Sequence, residues 1–130
     1  MALAPGLERE DGFVVEDRLL TDVDGRLGVR VLSTPGMIAM IERNAAILAQ
    51  EHLSPGFATV GFEICVKHVA GALDGAHCSV AAVLREVLDQ RKLRFDVRVS
   101  EGERTIGYGI HERRVIDVGR HADSAGRADP

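Results

Sequence analysis

A chain of 130 residues and 14.0 kDa is long enough for one domain with one core and too short for two of ordinary size. With 45% hydrophobic and 28% charged residues it lies outside the range of disordered or fibrous chains. Its net charge of −4 and pI near 5.7 argue against the clustered basic footprint that a nucleic-acid partner requires. No apolar run approaches the roughly 18 residues of a membrane span, and Met1-Ala2-Leu3-Ala4-Pro5-Gly6-Leu7-Glu8 lacks both the basic start and the long apolar stretch of a signal peptide. No membrane association is expected, and a cytoplasmic address is the default.

Residues 1–11 carry Pro5, Gly6 and mixed charges without periodicity and read as a flexible lead-in, so the ordered domain is expected over 12–118. Phe13, Val14 and Val15, with Leu19 and Leu20 after a polar break, suggest a first strand. The segment from Thr21 to Gly28 has turn chemistry in Asp24-Gly25 and reads as a surface connection, a candidate flap. Thr34 as N-cap and Pro35 in the first turn then open a helix, which Ser54-Pro55-Gly56 forces to end near His52. Met37, Met40, Ile41, Leu48 and alanines 45, 46 and 49 make it mostly apolar, so it should be largely buried. Glu42 interrupts that face, with Ile38, Ala39, Ala45, Ala46 and Ala49 as its helical neighbours.

Four strand-like stretches follow. From Thr59 to Val69 the apolar face is Val60, Phe62, Ile64 and Val66, and the same period carries His68. After the Leu73-Asp74-Gly75 turn, residues 76–88 form a long strand, and Asp89-Gln90-Arg91-Lys92 reverses the chain. Leu93, Phe95, Val97 and Val99 alternate with Arg94, Asp96, Arg98 and Ser100, and Glu101-Gly102-Glu103 makes a hairpin loop. The last strand runs from Thr105 to about Val118, with Ile106, Tyr108 and Ile110 on one face and Gly107 and Gly109 leaving room on the other. Residues 119–130 read as a disordered tail.

One strand, a long apolar helix and four strands joined by short turns imply an α+β fold, an antiparallel sheet wrapped around a single helix. Such a sheet has open edges, and pairing the edges of two chains is an economical remedy, so a homodimer is expected, with a tetramer of such dimers left open. Cys65 and Cys78 are not spaced as a metal or redox motif and read as buried free thiols, a cross-strand disulfide being the minor alternative.

Thr34 with Glu42 eight residues later, the strand Gly61-Phe62-Glu63-Ile64-Cys65-Val66-Lys67-His68, and Gly107-Tyr108-Gly109-Ile110-His111-Glu112-Arg113 recur in an order that resembles the hot-dog-fold thioesterases of the fluoroacetyl-CoA thioesterase type. The resemblance spans roughly 32–118. It implies an acyl-CoA thioesterase whose catalytic set matches Thr34, Glu42 and His68, with Gly61 meeting the acyl group through its backbone and Arg113 near the substrate. It implies no metal, and coenzyme A enters as part of the substrate. The fluoroacetyl-specific member carries a phenylalanine-bearing lid before its threonine. Here that stretch is Arg26-Leu27-Gly28-Val29-Arg30-Val31-Leu32, so the acyl group stays open beyond small or short-chain.

Thioester hydrolysis needs a nucleophile or activated water, a base, and donors for the oxyanion. His68 fits the base, and Glu42 either orients the nucleophile or attacks to give a transient anhydride. Thr34 would hydrogen-bond the carboxylate or the thioester oxygen, while helix N-terminal N–H groups add positive potential. Each residue also has a plainer reading: Thr34 as a cap, Glu42 as a salt-bridge partner, His68 as a satisfied core histidine, and His111 and Arg113 with Glu112 as a solvated face or strand ion pair. The sequence contains no phosphate-loop spacing, which leaves Lys67, Arg91 and Lys92 as candidates to hold coenzyme A. A non-catalytic acyl-CoA binding or sensing module is the alternative function. Hydration of an enoyl-CoA in the same cleft is a third, whose residue arrangement is not seen here.

Overall fold

Segments that alternate apolar and polar residues become strands, and the segment whose apolar residues recur every three or four becomes the long helix. In the computed structural model, which describes residues 2–126, the order is β1 (Glu8–Val14), a 3-10 turn (Asp17–Leu19), β2 (Leu20–Thr21), β3 (Val31–Leu32) and α1 (Thr34–Gln50). Then come β4 (Phe57–His68), β5 (His77–Leu88), β6 (Lys92–Glu101), β7 (Arg104–Asp117) and α2 (Val118–Ala125). The five long strands form one antiparallel sheet in the order β1-β5-β6-β7-β4, and α1 lies across it, touching all five. One sheet wrapped around one long helix is the hot-dog arrangement that the resemblance implies.

The core forms where α1 presents Met37, Ile41, Ala45, Leu48 and Ala49 to Val80, Ala82, Leu84, Leu93, Phe95, Val97 and Val99, all buried. In β6 the alternation is strict, with Leu93, Phe95, Val97 and Val99 inside and Arg94 and Arg98 exposed. Phe95 is the largest of the fully buried side chains, and truncating such a ring to alanine costs about 3–5 kcal/mol. Asn44, also buried, donates from Nδ2 to the carbonyls of Arg9 at 3.0 Å and Val80 at 3.4 Å, pinning the β1 and β5 backbones to the helix. No helix among the described residues is long and apolar enough to cross a membrane.

Five expectations change. Of the expected lead-in, Met1 lies outside the described residues and residues 2–11 are not loose: Leu3 is buried, β1 starts at Glu8, and Gly6 N and Leu7 O extend the ladder to Leu84 at 2.8 Å each. An edge strand that tolerates charge on its open side reads like a loop, which hid the Glu8-Arg9-Glu10-Asp11 run. At the other end, 118–125 form the helix α2, capped by Asp117 accepting from Arg120 N at 3.1 Å, with no buried residue; of the expected tail, 127–130 lie outside the described residues. In β4 the register shifts between Gly61 and Glu63, and Phe62 turns outward under the Arg114 guanidinium, 3.6 Å from its ring centre.

In β7 a second register shift, opposite Val99 and Ser100, makes Ile106 the extra residue and leaves Tyr108 exposed, so the buried residues downstream are His111, Arg113 and Val115. Gly107 accordingly lies beneath Met37. Finally, Cys65 is exposed while Cys78 is buried, and burial raises its thiol pKa. Two strands separate β4 from β5, so these two thiols cannot bridge.

Candidate active site

Two adjacent hydroxyls open α1 and do different work. Ser33, rather than Thr34, is the N-cap, its Oγ accepting from Gly36 N at 2.9 Å. The helix start is pressed onto the 3-10 turn, where a Cβ on Gly36 would meet the Leu19 carbonyl oxygen at 2.8 Å, so only glycine fits. Relieved of capping, the Thr34 hydroxyl lies 2.8 Å from His68 Nδ1. That imidazole closes β4 with Ile64 and Val66 on the same alternation. Its Nε2 is buried and has no hydrogen-bond partner among the described residues, which costs about 1–3 kcal/mol unless another molecule supplies one.

Glu42, about two turns further along α1, meets a different set. Its Oε2 lies 3.5 Å from Arg113 Nη1, and the arginine side chain is 7% exposed against 43% for the carboxylate. Arg113 also donates from Nε to Thr59 Oγ1 at 2.8 Å and from Nη2 to the Thr59 carbonyl at 3.1 Å, and its Nη1 lies 3.1 Å from His111 Nε2. On the far side of that ring, His111 Nδ1 meets the Glu63 carbonyl at 2.8 Å. A carbonyl only accepts, so Nδ1 carries the proton and Nε2 is the acceptor for Arg113. Burial lowers the pKa of both His111 and Arg113. In His111 the Glu63 hydrogen bond and the Glu42 charge oppose that shift and Arg113 adds to it.

Gly61 pairs with Arg113 across β4 and β7, and a Cβ there would stand 2.6 Å from Glu42 Oε2. Its missing side chain is therefore the space the carboxylate occupies. Glu42, Gly61, Phe62, Glu63, Ile64 and His111 line an open cleft of ≈ 270 Å³. A larger cavity of ≈ 550 Å³ lies under α2, between Phe57, Arg91, Val115 and His121, and gathers none of these groups. Among the described residues no three His, Cys, Asp or Glu side chains are grouped to hold a metal ion.

The chain thus brings Thr34 to His68, and Glu42 to Gly61 and Arg113, but it does not bring Glu42 to His68. Thr34 and Glu42 are eight helical steps apart, about 12 Å, and the seven strand steps from Gly61 to His68 cover about 23 Å. The helix is also less buried than its composition suggests: Pro35, Ala39 and Arg43 are exposed, and Ile38, Glu42 and Ala46 are half-buried. Sequence reasoning did not assign roles to Ser33, Thr59 or His111. Phasing the last strand backward from Val115 would have put His111 and Arg113 inside. Lys67 and Lys92 are exposed on separate strands and Arg91 faces the larger cavity, so no basic patch unites them.

The model of the fluoroacetyl-CoA-specific thioesterase family matches residues 14–119. The fluoroacetyl-CoA thioesterase of Streptantibioticus cattleyicolor is 36% identical over 88 residues, 68% of this chain and 63% of that protein, so the match spans less than two thirds of the relative's length. A solved structure of the fluoroacetyl-CoA thioesterase superposes with a TM-score of 0.89 at 26% identity, covering 100% of both chains. A point mutant of that enzyme in complex with fluoroacetate and CoA gives 0.83 at 28%, covering 92% of this chain and 99% of that one. A hot-dog-like protein from Thermanaerovibrio acidaminovorans, at 18% identity and a TM-score of 0.80 over 96% of this chain and 94% of that one, shares the fold.

Proposed function

The chain belongs to the fluoroacetyl-CoA-specific thioesterase family, and from that premise we propose that it hydrolyses a small or short-chain acyl-CoA thioester using Thr34, Glu42 and His68. The observation that carries this reading is His68 itself: Nδ1 is engaged by Thr34 at 2.8 Å while the buried Nε2 has no partner among the described residues. A core histidine satisfied by its own chain would not leave that nitrogen bare. In the proposed reaction Nε2 takes a proton from the attacking water and returns it to the leaving thiolate, giving a carboxylic acid and free coenzyme A. Thr34 holds the ring in place. Glu42 orients the water or attacks first, forming an anhydride that the water then opens. Gly61 brings backbone up to the acyl group, and Arg113 sets a positive charge beside the carboxylate. None of these steps calls for a metal or further cofactor, and the unpaired thiols suit a reducing cytoplasm.

The separation of Glu42 from His68 is resolved if two copies share each site. β4 is an edge strand of 12 residues. With β4 paired antiparallel with the β4 of a second copy about Ile64 and Cys65, His68 of one strand would lie beside Gly61 of the other. The uncovered face of α1 around Ala39 would pack in the same contact. We therefore propose a homodimer whose sites each take Thr34 and His68 from one copy and Glu42, Gly61 and Arg113 from the other.

Thiol release from a panel of acyl-CoAs, comparing the native protein with His68→Ala and Glu42→Ala, tests the chemistry. Loss of about 10²–10⁴ in kcat is expected for each. Unchanged turnover in both variants would sink the assignment, and tight acyl-CoA binding with no turnover by the native protein would favour the sensing module.

A further inference from the structure

The proposed chemistry leaves a buried histidine unused. His111 is 1% exposed, stacked near Phe95 with ring centres 6.3 Å apart, and joined to both β4 and Arg113 through its two nitrogens. We propose that His111 is a positioning residue: a neutral imidazole, protonated on Nδ1 alone, that aims Arg113 and through it sets the Glu42 carboxylate at the cleft. This rests on the catalytic reading of Glu42.

The geometry argues for the role in three steps. Arg113 commits Nε and Nη2 to Thr59, so only Nη1 reaches toward Glu42, and at 3.5 Å that contact is too long to hold the carboxylate by itself. His111 Nε2, at 3.1 Å from the same Nη1, fixes the free end of the guanidinium. Only the neutral Nδ1–H form can do this, because an imidazolium would aim a second N–H at a cation in a buried site. The groups facing the ring are the Arg113 cation on β7, the Glu42 anion on α1, the Glu63 carbonyl on β4 and the apolar Phe95 on β6. The β4 bulge serves the same end: it turns Phe62 out under Arg114 between the strand's contacts to Glu42 and His111, with Gly61 on one side and the Glu63 carbonyl on the other.

Long-range 1H–15N NMR on the full chain reads the tautomer without reference to activity. An Nδ1–H, Nε2-unprotonated ring at neutral pH is expected, and an Nε2–H tautomer or an imidazolium overturns the proposal. In parallel, His111→Phe keeps the ring against Phe95 and removes both nitrogens. It should lower kcat about 10- to 100-fold while KM stays within about twofold. His111→Gln offers Arg113 an amide oxygen and should recover to within about threefold of native. Native kcat in His111→Phe, or an equal loss in a folded His111→Gln, overturns the role. If His111→Phe does not fold, His111→Gln and the nitrogen shifts decide. Glu42→Gln is assayed alongside: native turnover there refutes the catalytic reading of Glu42, whereas the nitrogen shifts judge the His111–Arg113 contact independently.

Discussion

The two ends of β4 are built in opposite ways. At the Gly61 end the carboxylate of Glu42 sits on a braced support, with Arg113 tied to Thr59 through two nitrogens and to His111 through a third. At the His68 end one hydroxyl touches one ring nitrogen, and the other nitrogen is buried without a partner among the described residues. One end is finished within the chain and the other waits for something. The lesson is that burial and satisfaction separate: the finished end carries the more exposed functional group, and the unfinished end the more buried unmet demand.

Mixing inactive subunits breaks or sharpens that contrast most directly. His68→Ala and Glu42→Ala homodimers should each be nearly dead, because each lacks one half of both sites. Unfolded and refolded together, half the dimers are mixed, and each mixed dimer has one site with both halves intact, so about a quarter of native thiol release should return. If activity stays at the level of the separate variants while mixed dimers are present, the shared site is wrong and both ends must work within one chain.

Arg113→Met attacks the braced end. It strands Thr59 and the buried His111 Nε2, and should cost about 1–3 kcal/mol by chemical denaturation, with little added by the half-exposed Glu42 carboxylate. His111 adds a pH signature to the same end. Its pKa is lowered in the folded state, so the unfolded chain binds the extra proton first. The associated stability is complete above the ordinary value of 6.5 and is lost as pH falls from there toward the lowered folded value. Denaturation midpoints should therefore drop across that window in the native protein and drop less in His111→Gln. Gly61→Ala is milder still. Its Cβ would displace only the far end of the Glu42 side chain, so about a tenfold loss of kcat is expected with little change in stability.

How much of this was legible in the sequence depends on parity. The alternation of Leu93, Phe95, Val97 and Val99 named the core strand, and Pro35 with Ser54-Pro55-Gly56 bracketed the helix. Glu42 and His68 stand out as polar groups on apolar faces and Thr34 as the hydroxyl before Pro35, while the family resemblance is what joins the three into one set. What failed were faces beyond a bulge. One extra residue in β4 reverses which residues point inward, so Phe62, expected in the core, is exposed, and the shift opposite Val99 does the reverse to His111 and Arg113, which read as a solvated face and are buried. Period-2 reasoning has no way to see an inserted residue, since the insertion is stabilised by contacts from other strands. The charged start of β1 was misread for a related reason: an edge strand needs only one buried face and one ladder.

The smallest effect concerns the two neighbouring hydroxyls at the start of α1, where the sequence alone assigns both capping and chemistry to Thr34. If Ser33 caps and Thr34 holds His68, single substitutions should separate the two jobs. Ser33→Ala removes the acceptor for Gly36 N and should cost about 1 kcal/mol, a drop of a few degrees in Tm, with kcat unchanged. Thr34→Ala leaves that cap intact and should barely move Tm while lowering kcat. The prediction turns on a 2.9 Å contact to the backbone and a 2.8 Å contact to a ring, one serving the helix and the other the imidazole of His68. A Ser33→Ala protein that keeps its Tm but loses turnover would mean the roles are exchanged, and Thr34 would return to being the cap.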